Sequence, residues 1–201
     1  MGRTPSKARF GSGRKKSAAV PAQDWEAQYR AGAWKYLDSE AEAGHYLAIC
    51  ELYQRYLPRG SILDIGCGSG TLYRYLAERT GLPPSRYTGI DLAQEAVRQA
   101  AGRFPDARFA QCDYSVDAPE LRADCVIFNE ILYYFDEPLA ILNKSLRQNL
   151  ASGGLLIVSM YGEHHAPLWQ AIAGGAALMD ERVLENSQQQ RWTVRAFKPL
   201  P

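Results

Sequence analysis

The chain has 201 residues, 46% hydrophobic and 22% charged, with a formal net charge of +1. That is enough apolar matter for one domain with a sizeable core, and it excludes a wholly disordered chain, a collagen-like repeat and a disulfide-dense mini-protein. Six of the 23 basic side chains (Arg3, Lys7, Arg9, Arg14, Lys15 and Lys16) fall in residues 1–20 with no acid among them, which leaves 17 basic against 22 acidic residues in the body. A mildly acidic body does not suit a nucleic-acid groove, which needs cations to displace condensed counterions. Residues 1–22 read as a basic, disordered tail, and 23–201 as a single domain. The longest charge-free stretch near the C-terminus, Ala166 to Met179, is 14 residues long and broken by glycines. A membrane-spanning helix needs about 20 apolar residues, so none is expected. Cys50, Cys67, Cys112 and Cys125 form no C-x-x-C pair. They predict no metal site and fit a reducing, cytoplasmic setting.

In chain order, Asp24 to Leu37 is rich in aromatics and interrupted by Gly32. Ser39 with Glu42 predicts a capping box that opens a helix running to about Leu57. Strand and helix then alternate. Short apolar runs at 61–65, 86–91, 107–111, 123–128 and 154–160 read as strands, with helices over 69–79, 93–103 and 137–150 between them. A further helix is predicted over 166–179. A terminal hairpin uses 183–186 and 191–197, turning at 186–190. Near-continuous apolar strands alternating with helices predict an α/β, doubly wound, mostly parallel sheet covered on both faces. Ligands in such sheets bind beyond the carboxyl ends of the strands. That directs attention to Gly66–Gly70, Asp91, Asp113, Asn129–Phe135 and Tyr161–His165.

The first strand ends in Asp64-Ile65-Gly66-Cys67-Gly68-Ser69-Gly70 and a helix follows. The glycines allow a tight turn and close approach of a ligand to the backbone. Asp91 ends the second strand, where a carboxylate can accept both hydroxyls of a ribose. A dinucleotide fingerprint requires glycine at the sixth position of G-x-G-x-x-G, and Thr71 stands there instead. This disfavours the alternative of a nicotinamide-dependent dehydrogenase.

The runs Ile62 to Leu72, Tyr87 to Leu92 and Phe109 to Tyr114 together resemble the class I S-adenosylmethionine-dependent methyltransferases. The resemblance covers about residues 40–160. It implies a seven-stranded Rossmann-like sheet with an antiparallel C-terminal strand and S-adenosyl-L-methionine as methyl donor. It also implies roles: Asp64 and the Gly66/Gly68 backbone hold the methionine part, Asp91 takes the ribose, Leu92 packs on adenine, and Asp113 accepts from the adenine amino group beside Tyr114. The segment Asn129-Glu130-Ile131-Leu132-Tyr133-Tyr134 looks like that of the nodulation protein S group of small-molecule methyltransferases, and not like the N-P-P-Y segment of nucleic-acid enzymes. It implies Asn129 near the amino group of the cofactor, with Glu130 and Tyr133 facing the methyl group or the acceptor.

The resemblance also implies that residues 23–38 fold over the cofactor as a lid. Trp25 and Tyr29 share a helical face, Tyr29 and Arg30 are candidates for the sulfonium and the methionine carboxylate, and Trp34, Tyr36 and Tyr134 for the acceptor. His164 and His165 follow the fifth strand. His164 is a candidate general base and His165 a candidate acceptor contact. His45 reads as structural. Methyl transfer to oxygen or nitrogen of a small molecule, such as a sugar unit or a natural-product intermediate, is the expected function. A binding protein of the same fold without turnover is a further alternative.

Overall fold

A computed structural model describes residues 21–200; most of the predicted basic tail lies outside them. Helix α1 (Ala22–Arg30) and a 3-10 turn (Lys35–Asp38) precede α2 (Ala43–Tyr56). The alternating part follows: β1 (Ile62–Ile65), α3 (Thr71–Thr80), β2 (Tyr87–Asp91), α4 (Gln94–Arg103), β3 (Arg108–Gln111), β4 (Ala123–Asn129), α5 (Pro138–Gln148), β5 (Leu150–Tyr161), α6 (Ala166–Ala173), β6 (Ala176–Glu185) and β7 (Arg191–Pro199). The seven strands form one sheet in the order β3-β2-β1-β4-β5-β7-β6. Strands β1 to β5 are mutually parallel, and β7 runs antiparallel to both β5 and β6. This is the doubly wound sheet expected from the sequence.

Period-two alternation assigns the strand side chains to two cores. On one face Ile62, Tyr87, Cys125, Ile127, Leu155 and Ile157 pack with Ile49, Leu52, Tyr53, Leu72 and Leu76 of α2 and α3. On the other, Leu63, Ile65, Ile90, Val126, Phe128, Leu156 and Val158 pack with Ile141, Leu142, Trp169 and Ile172 of α5 and α6. Burial on both faces is why these strands carry almost no polar residue. Strand order reverses between β1 and β4, so the crevice at their carboxyl ends is the topological switch point.

Three local expectations are corrected. Ser39 makes no side-chain cap; a 3-10 turn (Glu40–Glu42) intervenes and α2 begins at Ala43. Glu42 turns inward and is 3% exposed. Helix α6 stops at Ala173, because Gly174 and Gly175 each disfavour helix by about 1 kcal/mol relative to Ala. The following residues, from Ala176, pair with β7 instead, so Leu178 and Met179 lie in a strand. That pairing makes the hairpin longer than the sequence suggested.

Phe128 lies in the middle of the sheet and is fully buried. Phe128→Ala is expected to lower unfolding free energy by ~3–5 kcal/mol, with the denaturation slope unchanged, in urea titrations.

Candidate functional site

The turn after β1 needs left-handed backbone at Gly66 (φ 76), Gly68 (φ 54) and Gly70 (φ 81). A Cβ on Gly66 would lie 2.7 Å from Ile131, and one on Gly68 would lie 2.8 Å from the Tyr29 hydroxyl. Both the backbone shape and the closeness of neighbours therefore require glycine. The N–H groups of Gly66 and Cys67 both donate to the Ile90 carbonyl, at 2.8 and 2.9 Å, which ties the turn to β2. The Gly68 N–H donates to Asp91 Oδ2 at 2.9 Å, and the Ala93 N–H donates to Asp91 Oδ1 at 2.9 Å. Asp91 thus joins the glycine turn to the start of α4. Burial raises its pKa, while these N–H groups hold it down.

Asp64 is 1% exposed. Its Oδ2 accepts from the Tyr87 hydroxyl at 2.6 Å, and its Oδ1 is buried with no hydrogen-bond partner among the described residues. Burial pushes its pKa up to about 7 against the opposing Tyr87 bond, and the nearby Asp91 charge adds to the rise. An orphaned carboxylate oxygen beside a glycine cradle fits a ligand that brings a donor or a positive group.

Beyond β2 and β3, Leu92 is half-buried, and its carbonyl accepts from Gln111 Nε2 at 3.1 Å. Asp113 accepts from the Ser115 N–H at 3.0 Å and from the Ser115 hydroxyl. Tyr114 is turned the other way. It is 3% exposed, donates to Asn149 Oδ1 at 2.6 Å and meets Phe128 edge-on, so it packs in the core under α5.

At the end of β4, Glu130 has φ 59, left-handed backbone that a non-glycine residue seldom adopts. The hydroxyl of Tyr133 donates to Glu130 Oε2 at 2.8 Å. The Ser159 hydroxyl lies 2.7 Å from Glu130 Oε1 and 2.9 Å from Asn129 Oδ1. Burial, then the Glu130 charge, holds the Tyr133 phenol protonated. The Tyr133 ring stacks on His165 at 4.8 Å and meets Tyr134 at 4.8 Å. His165 Nε2 lies 2.9 Å from the Tyr161 carbonyl, and burial lowers the pKa of the ring. His164 is exposed on the loop, so the structure brings His165, and not His164, against Tyr133.

The segment before α2 lies over this edge. Trp25 stacks on Trp34 (5.5 Å) and meets Tyr134 edge-on (5.1 Å). Trp34 in turn contacts Tyr29 (6.1 Å) and Tyr36 (5.9 Å). Tyr29 is 8% exposed and packs on Ala93 and Ala96. Arg30 does not join the group: its guanidinium pairs with Glu26 one helical turn back, at 3.1 Å, with its side chain 70% exposed. Two anchors hold the segment down. Glu26 Oε2 accepts from the Glu95 N–H at 3.0 Å. Asp38 accepts from the Thr71 hydroxyl at 2.9 Å and from Arg103 at 3.0 Å. Neither Asp38 nor Glu42 stood out in the sequence as a site residue: Asp38 is a lone acid in an irregular stretch, and Glu42 fits a helix-capping pattern. Glu42 and Glu130 both act on the hydroxyls of Tyr36 and Tyr46, whose pKa values are raised first by burial and then by Glu42.

A glycine-rich turn, an acid ending the next strand and this strand order define a Rossmann-like domain of the methyltransferase type. A family model described as a methyltransferase domain matches residues 41–198, and the chain belongs to that family. Among curated relatives, the trans-aconitate 2-methyltransferase of Agrobacterium fabrum is 34% identical over 97 residues, 48% of this chain and 37% of that protein. The malonyl-[acyl-carrier protein] O-methyltransferase of Acetivibrio thermocellus is 35% identical over 106 residues, 52% of this chain and 36% of that protein. The matches thus span well under half the length of these relatives. Among solved structures, the N-methyltransferase NodS of Bradyrhizobium japonicum, in complex with S-adenosyl-L-homocysteine, superposes with TM-score 0.74 at 18% identity, covering 90% of this chain and 98% of that one. A 1,6-didemethyltoxoflavin-N1-methyltransferase of Burkholderia thailandensis gives TM-score 0.71 at 20% identity over 90% of this chain and 87% of that one. These similarities concern the fold. Among the described residues no helix is long and apolar enough to cross a membrane, and no cluster of side chains suited to a metal ion is present.

Because the folded-state pKa of Asp64 stands above the ordinary carboxylate value of ~3.9, the folded protein binds more protons than the unfolded chain between these two pKa values. Its contribution to stability is fully present below roughly pH 4 and is lost as pH rises towards about 7. Asp64→Asn is expected to flatten this part of the stability–pH curve in denaturant titrations.

Proposed function

We propose that this chain is an S-adenosyl-L-methionine-dependent methyltransferase acting on oxygen or nitrogen of a small molecule. The single observation that carries the reading is the Asp91 carboxylate, held between the Gly68 and Ala93 N–H groups at the end of β2. A carboxylate in that place suits the two hydroxyls of a ribose. Family membership supports the chemistry, and the two solved relatives above are complexes with S-adenosylhomocysteine. The bound donor supplies a methyl group activated by a positively charged sulfur.

The chain's own residues have the following parts. The Gly66 and Gly68 backbone and Asp64 hold the methionine portion, Asp91 the ribose, and Leu92 and Asp113 the adenine side. Asn129 borders the methionine amino group. Tyr29 covers the glycine turn, and Trp34, Tyr36, Tyr133 and Tyr134 border the acceptor. Closing the aromatic segment excludes water and fixes the acceptor; alignment of this kind is worth roughly 7–11 kcal/mol of barrier. For a hydroxyl acceptor, His165 is the base best placed to receive the proton: burial keeps the ring neutral, and it stacks on the tyrosine that contacts Glu130. Proton removal contributes typically ~10²–10⁴-fold. The acceptors named for relatives range from trans-aconitate to a toxoflavin precursor, which supports a small organic acceptor, such as a sugar unit or a natural-product intermediate.

Calorimetry with S-adenosylhomocysteine tests the reading. The intact chain is expected to bind it. Asp91→Ala is expected to weaken binding by one to two hydrogen bonds to a charged group, each ~1.5–3 kcal/mol. Equal affinity for the variant, or heat from a nicotinamide dinucleotide and none from S-adenosylhomocysteine, refutes it.

A further inference from the structure

Strand β6 is the outermost of the sheet, and its free side pairs with no strand among the described residues. It runs for 10 residues, against about 5–6 in a typical strand. Of the six large apolar side chains exposed among the described residues, Leu178, Met179 and Val183 lie on it. A long edge with apolar side chains is a template for pairing with another chain. The bulge between Leu178 and Asp180 bends only its first part.

The hairpin turn sets which main-chain groups of β6 face outward. The Asn186 N–H donates to the Gln190 carbonyl at 3.0 Å. Antiparallel pairs alternate between bonded and non-bonded. Counting back from Asn186, Leu184 and Arg182 bond to β7, opposite Trp192 and Val194. Glu185, Val183 and Glu181 therefore turn their N–H and C=O groups to the open side. At Glu181 both groups are nevertheless occupied. Its N–H donates to Asp180 Oδ1 at 2.8 Å, and its carbonyl accepts from Arg182 Nη1 at 2.9 Å. The same guanidinium nitrogen donates to Asp180 Oδ1 at 2.6 Å, which closes a ring over the edge. Helix α2 holds both members: the Tyr56 hydroxyl donates to Asp180 Oδ2 at 3.1 Å, and Glu51 lies 3.5 Å from Arg182 Nε.

We propose that Asp180 and Arg182 are an edge guard: their side chains take the outward main-chain groups of Glu181 and keep β6 from pairing with β6 of a second copy. A second copy is the strand this edge suits. A two-fold axis through Glu181 sets Asp180 of each copy opposite Arg182 of the other, an attractive pair in a self-complementary interface. The guard satisfies that attraction within one chain instead. The proposal is independent of the methyltransferase reading.

Amide hydrogen exchange and sedimentation of the full chain test it. In the wild-type chain the Glu181 amide is expected to be protected about tenfold more than the outward amides of Val183 and Glu185. The chain is expected to sediment as a monomer of 22.4 kDa. The double variant Asp180→Ala, Arg182→Ala is expected to form a dimer whose share rises with concentration. Adding Val183→Lys to it is expected to restore the monomer, because lysine on an open edge opposes strand pairing. Equal protection of Glu181 and Val183 in the wild-type chain overturns the proposal, even if the double variant misfolds. A folded double variant that stays monomeric overturns it, and so does self-association that Val183→Lys leaves in place. A wild-type dimer abolished by Val183→Lys overturns it as well, since the edge is then open.

Discussion

The hydrogen bond from the Gly68 N–H to Asp91 is the contact on which the rest of the site depends. It exists because three glycines turn the chain back over β2, and because β1 and β2 lie in parallel register with Ile65 opposite Ile90. The Ile90 carbonyl takes two N–H groups of the turn, and the next residue presents the carboxylate. A bond from a backbone donor to an ionised acceptor in a buried place is worth ~1.5–3 kcal/mol, more than a neutral pair. It offsets part of what burial costs the carboxylate. The arrangement stores an acceptor of hydrogen bonds at the switch point of the sheet with its geometry set in advance.

The aromatic segment over this edge is held by polar contacts at both of its ends. Glu26 meets the start of α4, and Asp38 meets Thr71, at the start of α3, and Arg103. Both α3 and α4 begin beside the glycine turn or Asp91. The cover is therefore fastened to the same two elements that form the cradle. Between the fastenings Trp25, Tyr29, Trp34 and Tyr36 meet ring on ring, at ~0.5–1.5 kcal/mol a pair, and Tyr29 also packs on Ala93 and Ala96 while its carbonyl accepts from Gln99 Nε2 at 3.2 Å.

The fold was legible because burial on both faces leaves a strong mark on sequence. Ile62 to Ile65 and Cys125 to Phe128 are almost wholly apolar, and Gly and Pro punctuate the helices between. The cradle was legible for the same reason: the glycines at 66, 68 and 70 and the acid at 91 are demanded by backbone geometry and appear at fixed offsets. Side-chain direction was not. Tyr114 follows Asp113 directly, yet the strand's end points one into the core and leaves the other at the edge. Arg30 found Glu26 on its own helix, an i,i−4 partner one turn back. His164 and His165 are indistinguishable in sequence and separate only when one ring stacks on Tyr133. Glu42 was read through a capping pattern, and a 3-10 turn replaced that pattern by turning the carboxylate inward.

The same division governs what family likeness can say about the acceptor. The family match begins at residue 41, whereas Trp25, Tyr29, Trp34, Tyr36 and Asp38 all precede it. The glycine turn, Asp91, Glu42 and Glu130 lie within it. Two functions are thus written in two kinds of sequence. Holding a ligand at the switch point needs one backbone shape, and the glycines at 66, 68 and 70 with the acid at 91 supply it within the matched region. Choosing an acceptor needs side chains from an irregular cover and from the ends of β4 and β5, where no hydrogen-bond ladder constrains residue type. A relative's acceptor consequently transfers to this chain only where its cover and its Glu130 environment transfer too.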